Sequence, residues 1–150
     1  MRLALVGALL GVVVAASSVW AAGTMSPQQI VDDRVAGMKS LIGHLKAAQA
    51  ATDVAAKQAE LAQGVAFARS IPSKFPKGTG VGDAGVTKTR ALADSWTKPE
   101  EFKAAAEALA AALESASVGA GDAGKFDAAF GDVKKSCGGC HEKFRGKEMP

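Results

Sequence analysis

The chain has no tyrosine, and its remaining aromatics are six Phe and two Trp. Set beside 32 Ala, that scarcity disfavours a β-sandwich and favours helices. Two Cys are too few for a multi-disulfide scaffold. No charge of one sign dominates: 18 Lys and Arg against 15 Asp and Glu leave +3, with no dense basic stripe. A nucleic-acid binder is therefore not expected. No period-two alternation runs long enough to build a sheet. At 150 residues the chain holds one domain.

The N-terminal segment reads as a targeting signal. Arg2 supplies a positive start, Leu3 to Ala16 is uncharged and apolar, and Val19-Trp20-Ala21 puts small residues where a signal peptidase cuts. A membrane anchor is the competing reading, but the apolar run is short for a span of ~20 residues and contains Gly7 and Gly11. The expectation is a cleaved signal peptide over residues 1–21, a mature domain over 22–150, and no membrane span after cleavage. Cleavage removes Arg2 and lowers the formal charge to +2. Export also places the two Cys in an oxidising compartment, where they do not stay idle as thiols.

The mature chain reads as four helices and one long loop. The first opens with Ser26 as N-cap, Pro27 next and Gln29 as capping-box partner. Ile30, Arg34, Met38, Leu41, Leu45 and Ala48 form its inner stripe, widened by Val31, Val35 and Ile42. The second starts near Thr52 or Asp53 and runs to about Ser70, with Val54, Leu61, Val65 and Ala68 inward. Pro72 and Pro76 stop it. Residues 72–97 read as a loop with a short turn within Lys88 to Ser95. The third helix opens with Thr97 as cap and Glu100 as its partner, and turns Phe102, Ala106, Leu109, Leu113 and Ala116 inward. Gly119 to Gly124 breaks it. The fourth runs from about Lys125 to Lys147. Phe126, Phe130, Val133, Cys137, Cys140, His141 and Phe144 recur along it at steps of three and four. Four amphipathic segments predict an all-α, antiparallel, up-down-up-down four-helix bundle. Ala dominates the inner positions, so the core is thin and has room for a large apolar group.

Cys137-Gly138-Gly139-Cys140-His141 is the C-x-x-C-H pattern of covalent haem attachment. Two Cys at this spacing reach both vinyl groups on one side of a porphyrin, and the following His offers its Nε2 to the iron. A redox-active dithiol would sit at a helix N-terminus, whereas this pair lies near a C-terminal end. A structural metal would find three ligands here, with His44 far away in sequence. His44 is also about 240° around the helix from Met38, which removes it from the iron's side.

The C-terminal Cys-x-x-Cys-His-x-x-Phe-Arg at Cys137 to Arg145, Arg34 and Met38-Lys39 on the first helix, Ile71-Pro72-x-x-Phe75-Pro76 and Trp96 together resemble the class II cytochromes c. These comprise cytochrome c′ and the low-spin cytochrome c-556 type. The resemblance implies a four-helix bundle with one covalently attached haem c near one end. It makes Cys137 and Cys140 the thioether anchors, His141 the proximal axial ligand, and Arg145 a basic neighbour of that ligand. It also implies an approach of Arg34 to a haem propionate, against which stands a solvated helix-face charge.

The sixth position on the iron divides the functions. With Met38 as distal ligand, the expectation is a periplasmic electron carrier, a non-enzyme that works with periplasmic redox partner proteins. With Met38 as core packing, the alternative is a cytochrome c′ whose five-coordinate, high-spin haem binds NO or CO. The family also implies a homodimer through the first two helices. Lys134, Lys135, Lys143, Arg145 and Lys147 surround the attachment motif, either to steer an acidic partner or as a solvated basic helix end.

Overall fold

Residues 25–147 are described by a computed structural model. The expected signal segment, residues 1–21, lies outside the described residues, and so does Met149. The described chain is helical: α1 (Pro27–Ala50), α2 (Val54–Ser70), a short α3 (Asp94–Thr97), α4 (Pro99–Val118) and α5 (Ala123–Phe144). The four long helices form the bundle, and no strand occurs among the described residues.

Local chemistry sets the ends. Ser26 and Gln29 close a capping box, with Gln29 N–H donating to Ser26 Oγ at 3.2 Å and Ser26 N–H donating to Gln29 Oε1 at 2.7 Å. Asp53 and Asp122 cap α2 and α5 by accepting from Ala56 N–H at 2.8 Å and Lys125 N–H at 3.0 Å. Thr97 does not cap the third long helix. It closes α3 instead, its hydroxyl donating to the Ala93 carbonyl at 3.3 Å, and Lys98 takes the N-cap place of α4 without a side-chain bond. α5 stops at Phe144 rather than Lys147, because the chain turns extended at Arg145.

The core lies between α2, α4 and α5. Leu61, Leu113 and Val133 are fully buried, with Phe102, Phe126, Phe130 and Phe144 around them. Gly64 lets α2 approach closely: a Cβ there would lie 3.2 Å from Leu41 Cδ1. α1 packs on α2, α2 on α4 and α4 on α5, but α1 and α5 do not close on each other in the same way. That opening corrects the sequence reading of α1. Val35 and Ile42 are 45% and 52% exposed instead of extending the inner stripe. Gly37 and His44, two residues further along each turn, face α2 through Phe67 and Glu60. Val35 and Ile42 stand about 200° round the helix from them and border the open side. Val54 is likewise exposed, because it lies in the first turn of α2 at the end of the bundle.

Candidate functional site

The C-x-x-C-H motif occupies the last turns of α5. Cys137 and Cys140 are free, half-buried, and packed against the edge of the core. Burial raises both thiols above their usual pKa, and for Cys140 the neighbouring Cys137 adds to the rise. Thiols shifted in this direction suit anchoring more than nucleophilic exchange, which needs a stabilised thiolate. Gly138 and Gly139 are exposed, and a Cβ added at either would meet open space. His141 is exposed; burial of part of its ring holds its pKa below the usual value, with the Arg145 and Arg90 charges contributing less.

On α1, Met38 is half-buried and packs against the core, one turn beyond Arg34. Gly37 beside it receives the Phe67 ring so closely that a Cβ would sit 2.2 Å from Phe67 Cε2. Met25, the other described methionine, is exposed at the chain's start. Met38 is thus the described methionine that a group held between α1 and α5 would meet. His44 stands clear of that side: its Nδ1 bonds Glu60 Oε2 at 2.7 Å and links α1 to α2.

The burial of Arg34 overturns the solvated helix-face reading. The side chain is neither solvated nor paired with a carboxylate among the described residues; it is 97% buried in the loop between α2 and α4. Its Nη1 donates to Thr79 Oγ1 at 2.9 Å, and its Nη2 donates to the Thr79 carbonyl at 2.8 Å and Thr89 Oγ1 at 2.7 Å. Its guanidinium carbon lies 4.3 Å from the Phe75 ring centroid and 6.0 Å from that of Trp96, both cation–π contacts. Burial lowers its pKa. Trp96 Nε1 donates to the Phe75 and Pro76 carbonyls at 2.9 and 3.1 Å, which holds the loop folded over the arginine. An aromatic chain then runs from Trp96 through Phe75 and Phe102 to Phe144, three residues past His141.

The same loop clips the end of α5. Ala91 and Arg145 form an antiparallel bridge. Leu92 N–H donates to the Phe144 carbonyl at 3.0 Å, Gly146 N–H to the Arg90 carbonyl at 2.7 Å, and Arg90 Nε to the Gly146 carbonyl at 2.8 Å. Thr79, Thr89 and Arg90 escaped sequence reasoning because the loop has no periodicity to mark inward positions. The basic cluster on α5 is partly neutralised, with Lys135 on Asp132 at 2.9 Å and Lys143 on Glu101 at 3.6 Å.

A covalently held, flat, apolar group with anionic edges fits this arrangement. The two half-buried thiols and Met38 all pack against the edge of one apolar core, and Arg34 is a buried cation without a carboxylate among the described residues. Among the described residues, no group of three or more His, Cys, Asp and Glu side chains converges to hold a metal ion by itself.

Comparison with known proteins agrees. The family model described as Cytochrome C′ matches residues 29–145. A cytochrome c′ of Pararhodospirillum photometricum is 37% identical over 131 residues, covering 80% of this chain and 98% of that protein. A solved cytochrome c′ with an unusual ligand-controlled dimer dissociation superposes with a TM-score of 0.71 at 28% identity, covering 83% of this chain and 100% of that one. The nitric oxide complex of a cytochrome c′ variant from Alcaligenes xylosoxidans gives 0.70 at 25% identity, covering 84% and 100%. The fold, the C-x-x-C-H turn on the last helix and the match over nearly the whole described chain lead to one assignment: this chain belongs to the cytochrome c′ family, whose members carry covalently attached haem c.

Proposed function

We propose that this chain is an exported cytochrome c′ with five-coordinate haem that binds a diatomic gas, NO or CO. When bound, haem c supplies an iron centre that takes such a ligand. Cys137 and Cys140 would hold it by thioethers, and His141 would offer its imidazole to the iron. Arg145, one turn on, adds positive charge near that ligand. Met38, packed against the apolar core, would act as an apolar neighbour of the haem rather than as a ligand. The observation that carries this reading is the cytochrome c′ match over residues 29–145 together with Met38 packed as part of the apolar core.

The second reading is electron transfer with Met38 bonded to iron. It is favoured by the position of a soft thioether in the interior, one turn from Arg34. Visible spectra of the matured protein, oxidised and reduced, with and without CO, separate the two. Broad high-spin bands that CO shifts support gas binding. Sharp low-spin bands indifferent to CO, converted by Met38→Ala into a CO-binding spectrum, establish the electron carrier instead.

The proposal includes cleavage of residues 1–21, a mature domain over 22–150, and a periplasmic location, where redox proteins reduce and oxidise the haem. No helix among the described residues is long and apolar enough to cross a membrane. The proposed role is not enzymatic. We further propose a homodimer through α1 and α2. It is supported by exposed Ala55, Ala59, Ala62 and Ala66, a stripe of small residues that leaves the outer face of α2 flat. Sedimentation with and without CO tests the dimer.

A further inference from the structure

Gln28 has no place in the haem site, yet its half-buried side chain is fully engaged. From the first turn of α1 it grips two successive residues of the loop. Its Oε1 accepts from Thr87 N–H at 2.8 Å, Thr87 Oγ1 at 3.1 Å and Lys88 N–H at 3.1 Å. Its Nε2 donates to the Lys88 carbonyl at 3.3 Å and to Asp32 Oδ1 at 2.8 Å. Just upstream, Gly85 lies against Pro27, where an added Cβ would sit 3.5 Å from Pro27 Cγ. Just downstream, the buried Thr89 accepts at Oγ1 from Arg34 Nη2 at 2.7 Å. The loop is thus fastened to α1 up to Thr89.

The next three residues are fastened to the end of α5. The Arg90 carbonyl accepts from Gly146 N–H at 2.7 Å, Ala91 bridges Arg145, and Leu92 N–H donates to the Phe144 carbonyl at 3.0 Å. The change of partner falls between Thr89 and Arg90, and one oxygen serves both sides. Thr89 Oγ1, held by the α1 arginine, also accepts from Ala91 N–H at 3.2 Å. Residues 87–92 therefore form a strap from one helix to the other. Six residues reach at most about 20 Å when extended, and bonds at both ends leave little slack.

The two helices so joined are those that do not pack together as the other neighbours do. Helix spacing normally follows from the side chains interleaved at the contact. α1 otherwise meets α5 through α2 and α4, so the strap is a direct tie between them. α5 carries Cys137, Cys140 and His141, and α1 carries Met38.

We infer that Gln28 and Thr89 are positioning residues: through the strap over residues 87–92 they set the separation of α1 and α5, and with it the seat of the haem. The inference rests on haem attachment at Cys137 and Cys140, whatever the state of Met38.

The test uses the full chain matured with covalent haem, as wild type, Gln28→Ala, Thr89→Val and Thr89→Ser. Amide hydrogen exchange at Leu92 and Gly146 reads the α5 end of the strap, and circular dichroism in the Soret band reads the seat of the haem. Gln28→Ala and Thr89→Val should each speed exchange at Gly146 about tenfold, the effect of one ordinary hydrogen bond lost, and alter the Soret signal. Thr89→Ser should keep both as in wild type. Faster exchange confined to Thr87 and Lys88 would overturn the inference, because the α5 end would then hold without α1. An equal rise at the core amides of Leu113 and Val133 would overturn it too, as general destabilisation. Faster exchange at Gly146 with the Soret signal unmoved would leave the strap no role at the haem. If Thr89→Val does not fold, Gln28→Ala decides by the same readings. A wild-type pyridine haemochrome without thioether-linked haem refutes the attachment itself, a failure visible before any variant is made.

Discussion

Truncating Arg34 should loosen the loop over residues 76–97 by an amount that depends on what replaces it. Three donated bonds of 2.7 to 2.9 Å disappear with the guanidinium. Bonds to a charged group contribute about 1.5–3 kcal/mol each, but the acceptors do not all suffer equally. Thr79 Oγ1 keeps its bond to the Pro76 carbonyl, and Thr89 Oγ1 keeps the one from Ala91 N–H. Only the Thr79 carbonyl loses its donor outright. Removing a buried, carboxylate-free cation also relieves a desolvation cost. The net for Arg34→Ala should be about 3 kcal/mol, mostly from the emptied space between Phe75 and Trp96 and the orphaned carbonyl. Arg34→Met refills that space and should lose only about 1–2 kcal/mol. Arg34→Lys offers one point charge where a fork is needed and should fall between them. Urea unfolding of the holoprotein, followed by circular dichroism with matched slopes, ranks the three. Equal losses for Ala and Met would refute the reasoning, because packing would then be irrelevant. A loss below about 0.5 kcal/mol for Ala, within the range of ordinary surface changes, would refute the claim that Arg34 organises the loop at all.

Gly37→Ala should destabilise by about 1–3 kcal/mol, because its Cβ would lie 2.2 Å from Phe67 Cε2. Adding Phe67→Leu should recover part of the loss, and a double-mutant cycle that shows no coupling would count against the contact. Leu113→Ala, at a site with no exposed surface, should lose about 2–5 kcal/mol in the same titration. Cys137→Ala should leave a single thioether and move the pyridine haemochrome band to longer wavelength; a spectrum like wild type would show that Cys137 is no anchor. Asp94 has its pKa held below the usual value, first by the hydrogen bond from Lys98. The stability from that depressed pKa is present above the unfolded carboxylate's pKa and fades as pH falls through the folded value. Lys98→Ala should therefore lower stability slightly at neutral pH and leave it unchanged below the folded pKa, which flattens the acid limb of the stability–pH profile.

Helix identity was legible in this sequence because caps and stripes agree. Ser26 with Gln29, the start of α2 at Asp53, and the Phe102–Ala106–Leu109–Leu113–Ala116 stripe all stand where the pattern put them. The errors share a physical cause. Thr97 has a capping residue's chemistry, but a helical turn already formed ahead of it, and its hydroxyl served that turn. Val35 and Ile42 satisfy the apolar period of α1, yet periodicity cannot say whether a helix has neighbours on both sides of its inner stripe. α1 has α2 on one side and an opening on the other.

The site divides along the same line. Cys137, Cys140 and His141 were legible because their chemistry is written in consecutive positions. The environment of Arg34 was not, because Thr79 and Thr89 lie 45 and 55 residues away in a loop without a period. A sequence shows a buried arginine only as a charge on a helix, and solvation or a propionate are the two partners one then considers. The loop folded round the guanidinium gives Arg34 a structural role that neither partner suggests. It makes the arginine a strut that holds Phe75 and Trp96 in place, and through Phe102 and Phe144 that strut reaches the helix end carrying His141. The two exposed valine and isoleucine side chains on α1 then find their explanation in the thin alanine core. Covering such apolar surface is worth about 25 cal/mol per Å², so the covalently attached haem c of this family would stabilise the fold wherever it lies against apolar side chains that the alanine-rich core leaves exposed.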